Sequence, residues 1–369
     1  MDLLDRFLGC LIGGACGDAL GYAVEFQDYR SIVNRYGPEG ITAYELDSRS
    51  GRALISDDTQ MTLFTAAALL DERSAAAWPR DGGTFDEVAW ASCVWDYYLD
   101  WLATQIPGSR TPAQPTWLNG VPELRSCRAP GNTCLSALRG GVLGTVDSPV
   151  NDSKGCGGVM RVAPIGLRGA GLAVEADEEA KERCARIAGR AGAAAAALTH
   201  GHELGYIPAA GLAHLVCLAC CRPDRPLREI VLDMRRALER GFQGRRHLPA
   251  MLKLIDKALR LAENDGSGDV QAIRQLGGGW VAEETLAIAV YCTVKYSRDF
   301  KKAIIAAVNH SGDSDSTGAV TGNILGAYLG LEGIPSEFTA DLECREEILR
   351  MAGDLFRLVR RGQSAALMP

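Results

Sequence analysis

The chain has 369 residues, with 39 Lys and Arg against 46 Asp and Glu, and a formal net charge of −7 argues against a nucleic-acid backbone as its main partner. The start, Met1-Asp2-Leu3-Leu4-Asp5-Arg6, lacks the basic region of a secretory signal, and no apolar run is read as reaching the roughly 18–20 residues of a membrane span, so a soluble cytoplasmic protein is expected. No low-complexity linker divides the sequence, so one large domain over residues 1–369 is expected, and the 12 Cys read as reduced core thiols because no His lies at zinc-finger spacing from a Cys pair.

From Leu3 to Gly21 the apolar residues recur at helical spacing, and Gly9, Gly13, Gly17 and Gly21 form one bare stripe along that helix. A helical Gly costs about 0.5–1 kcal/mol relative to Ala, so four on one face imply a close neighbour. The same spacing recurs at Gly318, Gly322, Gly326 and Gly330. If the two stripes face each other antiparallel, Glu25 comes beside Asp313 to Ser316; the alternative is that each stripe meets a different neighbour.

Residues 28–54 carry Gly, Pro and Ser with little period and read as loop. Ser56-Asp57-Asp58-Thr59 then opens a helix, with Ser56 as N-cap and the acids in the first turn, where the helix dipole favours them. Two adjacent acids flanked by hydroxyls could equally bridge cations. A helix from about Phe85 to Leu102 carries Trp90, Trp95, Tyr97, Tyr98 and Trp101, most of which should be core. A Pro-rich loop follows at about 105–130, long enough to read as a lid or a partner-binding segment.

A helix resumes over Asn132 to Leu143. Asn151-Asp152-Ser153-Lys154-Gly155-Cys156-Gly157-Gly158 is a Gly-rich loop without the ending of a P-loop, although its amides could cradle a phosphate. An Ala-rich helix from Glu178 to Leu198 ends in Thr199-His200-Gly201-His202. Further helical patterns cover Pro208 to Cys221, Leu227 to Phe242, Leu248 to Glu263, Val281 to Tyr296 and Glu343 to Arg361. No alternating strand is evident, so an all-α chain is expected.

Between Val308 and Gly318 lies Asn309-His310-Ser311-Gly312-Asp313-Ser314-Asp315-Ser316-Thr317, two carboxylates and several hydroxyls at the start of a helix. Hard oxygens of this kind suit Mg²⁺, Mn²⁺ or Ca²⁺, while Asp and Ser are also ordinary N-cap and turn residues. Two acid-hydroxyl clusters at helix starts, with Glu25 near one of them, together supply ligands for a binuclear centre of hard cations. Asn309, His310 and Thr317 are read as shaping the turn and capping the helix.

Seven separated motifs in this order resemble the ADP-ribosylglycohydrolases, a family that includes the dinitrogenase reductase-activating glycohydrolases. They are Gly13 to Phe26 (GGACGDALGYAVEF), Ser56 to Thr62 (SDDTQMT), Arg128 to Leu138 (RAPGNTCLSAL), Gly155 to Leu167 (GCGGVMRVAPIGL), Thr199 to His202, Gly277 to Leu286 (GGGWVAEETL) and Val308 to Gly330. The resemblance implies a single compact orthogonal helical bundle with two Mg²⁺ or Mn²⁺ ions in a cleft. By position it makes Ser56, Asp57, Asp58, Asp313, Asp315 and Ser316 the metal ligands, and Glu25 the acidic residue beside the ribose. Family proteins often carry Thr where this chain has Ser316.

The expected reaction breaks the bond between C1 of a ribose and a side-chain nitrogen through an oxocarbenium-like transition state, with Glu25 or Asp58 as proton shuttle. Ser153, Gly155 and Gly157 are expected to grip the diphosphate, with His200 near the phosphate or distal ribose. Asp18 either reaches the substrate or makes a buried helix-helix hydrogen bond. Asp96 or Asp100 is a candidate partner for the target arginine. The expected partner is a mono-ADP-ribosylated protein. Two rival readings are an antidote-type protein that occludes an ADP-ribosyltransferase toxin through the Pro-rich loop, and a two-metal phosphatase.

Overall fold

In the computed structural model of the chain, residues 2–366 are described apart from 79–83, 107, 109–115, 174–175, 265 and 267. The helices in chain order are α1 (Leu3–Tyr22), α2 (Tyr29–Tyr36), α3 (Asp57–Leu70), α4 (Glu72–Ala77), α5 (Glu87–Gln105), α6 (Asn132–Gly140), α7 (Ala163–Leu172), α8 (Glu178–Ala197), α9 (Glu203–Cys221), α10 (Leu227–Gly241), α11 (Leu248–Glu263), α12 (Asp269–Leu276), α13 (Ala282–Lys295), α14 (Phe300–Val308), α15 (Ser314–Leu329), α16 (Ser336–Thr339) and α17 (Arg345–Ala366). No strand forms among the described residues; two isolated bridges, Ala53 with Leu342 and Gly155 with Val281, tie loops together. The chain is all-α, as its periodicity predicts.

The glycine stripes meet. A Cβ built on Gly13 would lie 2.5 Å from the Gly322 carbonyl oxygen, and one on Gly17 would lie 2.0 Å from that of Gly318. The register is antiparallel, with Gly9 at the far end against Gly326 and Gly330, and Gly21 against Ser314 and Asp315. Gly330 departs from the expected stripe: it lies just past α15 with φ +77°, ending the helix where a side chain would be strained. Backbone contact along two whole helices leaves no slack, so the C-terminal end of α1 is fixed beside the N-terminus of α15. Buried Arg6 completes the other end by donating from Nη1 to the Ala327 and Tyr328 carbonyls at 3.2 and 2.5 Å.

Around this pair the remaining helices form the core. α9 packs against α7, α8, α10, α11, α13 and α15. It is long and apolar enough to cross a membrane, contrary to the expectation that no run reaches that length, yet 94% of its qualifying window is buried inside the molecule. Its start at Glu203, ahead of the expected Pro208, shows burial overriding the Pro penalty. Residues 28–54, read as loop, contain α2, which Asp28 caps by accepting from Ser31 N at 2.8 Å; eight residues are too few to show a period. Trp90, Tyr98 and Trp101 are fully buried core, and all twelve Cys are free, with Cys127 exposed rather than in the core.

Candidate functional site

Both acid clusters cap helices. Ser56 Oγ accepts from the Asp58 amide at 3.2 Å, and Asp313 accepts from the Ser316 amide at 3.3 Å, so the capping readings hold for α3 and α15. Capping does not account for the rest. Asp57, Asp58, Asp313 and Asp315 are buried together with Glu25, and Glu25 Oε2 and Asp58 Oδ2 have no hydrogen-bond partner. Oxygens from Glu25, Asp313 and Asp315 lie within 4.8 Å of one another. At that separation each ionised pair costs on the order of 3–4 kcal/mol at an effective dielectric near 20.

The cluster holds protons unless a cation compensates it. Burial first, then the facing Asp315, Asp313 and Asp57 carboxylates, push Glu25 up to about 10. Asp57, Asp58 and Asp313 are held well above the usual carboxylate range, again by burial and then by Asp315. No Lys or Arg stands among the described residues lining the surrounding cleft, whose volume is about 410 Å³. Orphaned buried carboxylate oxygens, acidic neighbours and no basic side chain make a donor set that fits a hard divalent cation.

The opposite wall is neutral. His200 is buried, and burial followed by the nearby Arg161 guanidinium lowers it to about 3, so the ring is uncharged. Arg161, itself fully buried over the Tyr98 ring at 4.2 Å, donates to Thr199 Oγ1 at 2.8 Å. Thr199 Oγ1 lies 2.8 Å from His200 Nδ1. That leaves the Thr199 proton for Nδ1 and the ring proton on Nε2, which faces the Gly155 loop. A Cβ on Gly157 would come within 2.7 Å of Cys134 Sγ and 3.0 Å of His200 Cε1, so only glycine lets the loop sit this close.

Three other loops brace the cleft. The 277–281 segment is locked by Glu284 Oε2, which accepts from the Gly278 and Gly279 amides at 2.9 and 3.2 Å, while the Gly278 carbonyl accepts from Asp313 N at 2.8 Å. This presents Trp280 at the mouth, stacked on exposed Phe26 with centroids 5.9 Å apart. The loop before α6 is pinned by a part-buried ion pair of Arg128 with buried Glu343, and Arg128 also donates to the Ile55 carbonyl at 3.1 Å. Next to it, Ala129 sits at φ +50° on the cleft wall, and Gly131 N donates to Asp57 Oδ2 at 3.3 Å. An αL alanine is strained by roughly 1–3 kcal/mol, which the Arg128–Glu343 pair holds in place.

Of the residues singled out in the sequence, Glu25, Asp57, Asp58, Asp313, Asp315, Ser316, Gly155, Gly157 and His200 line one cleft. Others do not. Asp18 is fully buried behind the acid cluster, where it accepts from Ser56 N at 3.0 Å and from Thr59 N at 3.1 Å, so the helix-helix bond is the reading that holds. Ser56 is likewise behind the wall, fully buried beside Asp18. Asp100 is buried in α5 and accepts from Thr116 N at 3.2 Å, and Asp96 ion-pairs with Arg73 at 2.6 Å; neither lines the cleft. Ser153 braces the Gly-rich loop, pairing with Thr133 Oγ1 at 3.1 Å and accepting from Gly155 N at 3.4 Å.

The Pro-rich loop falls partly outside the described residues. Its described end, from residue 116, is anchored by buried Leu118 and Leu124 and enters the cleft wall at Ala129 and Pro130. Sequence reasoning missed Phe26, Trp280 and the Arg128–Glu343 pair. The motifs containing Phe26, Trp280 and Arg128 were visible, but no spacing gave those residues a role. Asn309 clamps Ile41 through both backbone groups at 2.8 and 2.9 Å, and His310 Nε2 lies 3.0 Å from Thr317 Oγ1, so these residues do shape the turn.

The profile of the ADP-ribosylglycohydrolase family matches residues 1–365. The chain is 26% identical over 358 residues to the ADP-ribosyl-[dinitrogen reductase] glycohydrolase of Rhodospirillum rubrum, covering 96% of each. It is 24% identical to the ADP-ribosylhydrolase ARH3 of Mus musculus, covering 96% of this chain and 92% of that one. To the ADP-ribosylarginine hydrolase Tri1 of Pseudomonas putida it is also 24% identical, covering 96% and 78%. A solved structure titled an ADP-ribosylglycohydrolase-related protein complex superposes with a TM-score of 0.64 at 26% identity, over 97% of this chain and 99% of that one. With profile, relatives and fold in agreement over nearly its whole length, the chain belongs to the ADP-ribosylglycohydrolase family.

Proposed function

We propose that the chain hydrolyses the N-glycosidic bond between ADP-ribose and an arginine side chain of a modified protein, reversing mono-ADP-ribosylation. The observation that carries this reading is the convergence of Glu25, Asp57, Asp58, Asp313 and Asp315 in a cleft that no basic side chain lines among the described residues. An acidic floor suits a leaving group that departs as a cationic guanidine, and an oxocarbenium-like ribose beside it. Support from the relatives is of two kinds: one is named for ADP-ribosyl-dinitrogen reductase and one is named an ADP-ribosylarginine hydrolase.

Asp57, Asp58, Asp313, Asp315 and Ser316 line the cleft, with Ser56 at its back, and would hold two divalent cations, Mg²⁺ or Mn²⁺. When bound, such cations supply Lewis-acid orientation of the ribose diol and lower the pKa of a water. The protein's own part is proton transfer and positioning. Glu25 and Asp58 each have an oxygen without a partner, so either can take the proton of the water that attacks C1 and give it to the departing guanidine nitrogen. The C–N bond breaks, the ribose gains a hydroxyl, and free arginine is restored. On the far wall, neutral His200 offers its Nε2 proton to a diphosphate oxygen beside the Gly155–Gly157 turn.

The deciding experiment incubates the full chain with arginine-ADP-ribosylated and with serine-ADP-ribosylated protein, each with Mg²⁺ or Mn²⁺ and each with chelator. Release of intact ADP-ribose from the arginine substrate only, lost with chelator, is the expected result. Release from serine alone would replace the linkage, and no release from either with metal present would overturn the hydrolase reading.

A further inference from the structure

In the turn Gly155-Cys156-Gly157-Gly158 on the cleft wall, Cys156 is the one residue with a side chain. The turn holds that side chain in place. The Cys156 amide donates to the Trp280 carbonyl at 3.3 Å, and the Cys156 carbonyl accepts from the Val159 and Met160 amides at 2.9 and 3.2 Å. Gly155 is bridged to Val281. Nothing in the proposed chemistry uses the Cys156 thiol, yet the residue is partly exposed and lines the cleft with Asp58, Asp313 and Ser316.

Its neighbours are metal donors. The thiol faces the Asp313 carboxylate and the Ser316 hydroxyl, with Asp58 as the next charge. An independent observation points to a cation there: Asp58 is 2% exposed, and its Oδ2 has no hydrogen-bond partner. A second sulfur stands close by, with Met160 Sδ 4.0 Å from Ser316 Oγ. Cys134 also lines the cleft, but Arg161 Nη1 donates to its Sγ at 3.4 Å, and a guanidinium so close opposes a cation. Of the two cleft thiols, Cys156 is the one set among carboxylates.

As a nucleophile Cys156 is poorly placed, because burial, then Asp313 and Asp58, keep the thiol protonated. As a ligand it is well placed. A divalent cation drawn in by the carboxylates reverses the local field, so sulfur binds the cation and the thiol proton leaves to solvent. Thiolate beside carboxylate suits Zn²⁺, whereas Mg²⁺ and Mn²⁺ favour oxygen alone.

We infer that Cys156 is a metal ligand which, with Asp313 and Asp58, gives the cleft a position for a thiophilic divalent cation of the Zn²⁺ class. Zn²⁺ held there occupies oxygens that Mg²⁺ or Mn²⁺ needs, so it competes with the working cations. This role presumes, as the proposed function does, that Asp58 and Asp313 receive a cation.

The test uses the full chain stripped of metal by chelator. It is titrated with Cd²⁺, a stand-in for Zn²⁺ read by the ultraviolet absorption of its thiolate bond, and with Mn²⁺, read by the paramagnetic resonance of the free ion; Zn²⁺ is then added against bound Mn²⁺. The wild type should show saturable Cd²⁺–thiolate absorption and release of Mn²⁺ by Zn²⁺. The control Cys127→Ser/Cys134→Ser, which removes the exposed thiol and the other cleft thiol, should do the same. Cys156→Ser should lose the absorption and bind Cd²⁺ and Zn²⁺ about tenfold or more weakly, with Mn²⁺ affinity within about twofold of wild type. Cys156→Ala repeats the measurement if the serine variant does not fold. Undiminished absorption in Cys156→Ser, or an equal loss of Mn²⁺ and Cd²⁺ affinity there, would overturn the assignment. Mn²⁺ binding without thiolate absorption in the wild type would overturn it and leave the proposed function standing, while binding of neither ion would overturn both.

Discussion

At the scale of single residues, two buried acids, Asp18 of α1 and Glu25 just beyond it, are expected to respond oppositely to substitution. Asp18 accepts from Ser56 N, Thr59 N and Thr59 Oγ1, so Asp18→Ala strands three donors at the N-terminus of α3. Losing them should cost on the order of 3 kcal/mol, read as a lower midpoint of urea unfolding. Glu25 is pushed to about 10 by burial and by the carboxylates it lies among, so at pH 8 the metal-free protein must take up a proton there to fold; Glu25→Gln removes that cost and should raise the unfolding midpoint. If Glu25 is the proton shuttle, the same substitution lowers kcat by about 10²–10⁴-fold while Mn²⁺ still raises Tm. Asp313→Asn should lose both activity and the Mn²⁺-dependent rise. Glu25→Gln at wild-type kcat would transfer the shuttle role to Asp58.

At the scale of elements, the α1–α15 contact is the joint on which the site depends, because it places Glu25 beside Asp313 and Asp315. Gly17→Ala would set a methyl 2.0 Å from the Gly318 carbonyl oxygen, where no side chain can move aside. The helices must separate, and a loss of at least about 3 kcal/mol in stability is expected, together with loss of activity. Gly140→Ala, at the end of α6 with nothing within 4 Å, is the control and should be neutral or slightly stabilising by thermal denaturation. This joint was legible in the sequence because glycine at every fourth position has one structural meaning, backbone contact, and two such stripes can satisfy each other. The caps at Ser56 and Asp313 were legible for the same reason: short polar side chains before an apolar helix. Arg128 and Glu343 were not, since they are 215 positions apart and carry no period. Asp100 and Asp18 could not be sorted into cleft and core, because an acid near an aromatic or a glycine stripe looks alike whether it faces solvent space or another helix.

At the scale of the whole molecule, the acid cluster couples stability to protons and to metal. Asp18 is raised to about 7 and Glu25 to about 10, both well above the ordinary carboxylate range, by burial and by the neighbouring carboxylates. Because the folded state binds these protons more tightly than the unfolded chain does, the stability they contribute is fully present below about pH 4. In the metal-free protein it is lost as pH rises, first through about 7 and then toward 10. A divalent cation held by Asp57, Asp58, Asp313 and Asp315 competes with the protons that burial keeps on Asp57, Asp58 and Asp313, and its charge favours ionised Glu25 and Asp18 beside them, so it stabilises the ionised cluster most where protons no longer do. Saturation at a hundredfold excess over Kd is worth about 2.7 kcal/mol. Thermal unfolding with chelator and with Mn²⁺ should therefore show a small metal-induced rise in Tm at pH 5.5 and a clearly larger one at pH 8. Equal rises at the two pH values would mean that the cation binds groups other than this buried cluster, and the carboxylates would then be structural acids that stay protonated throughout.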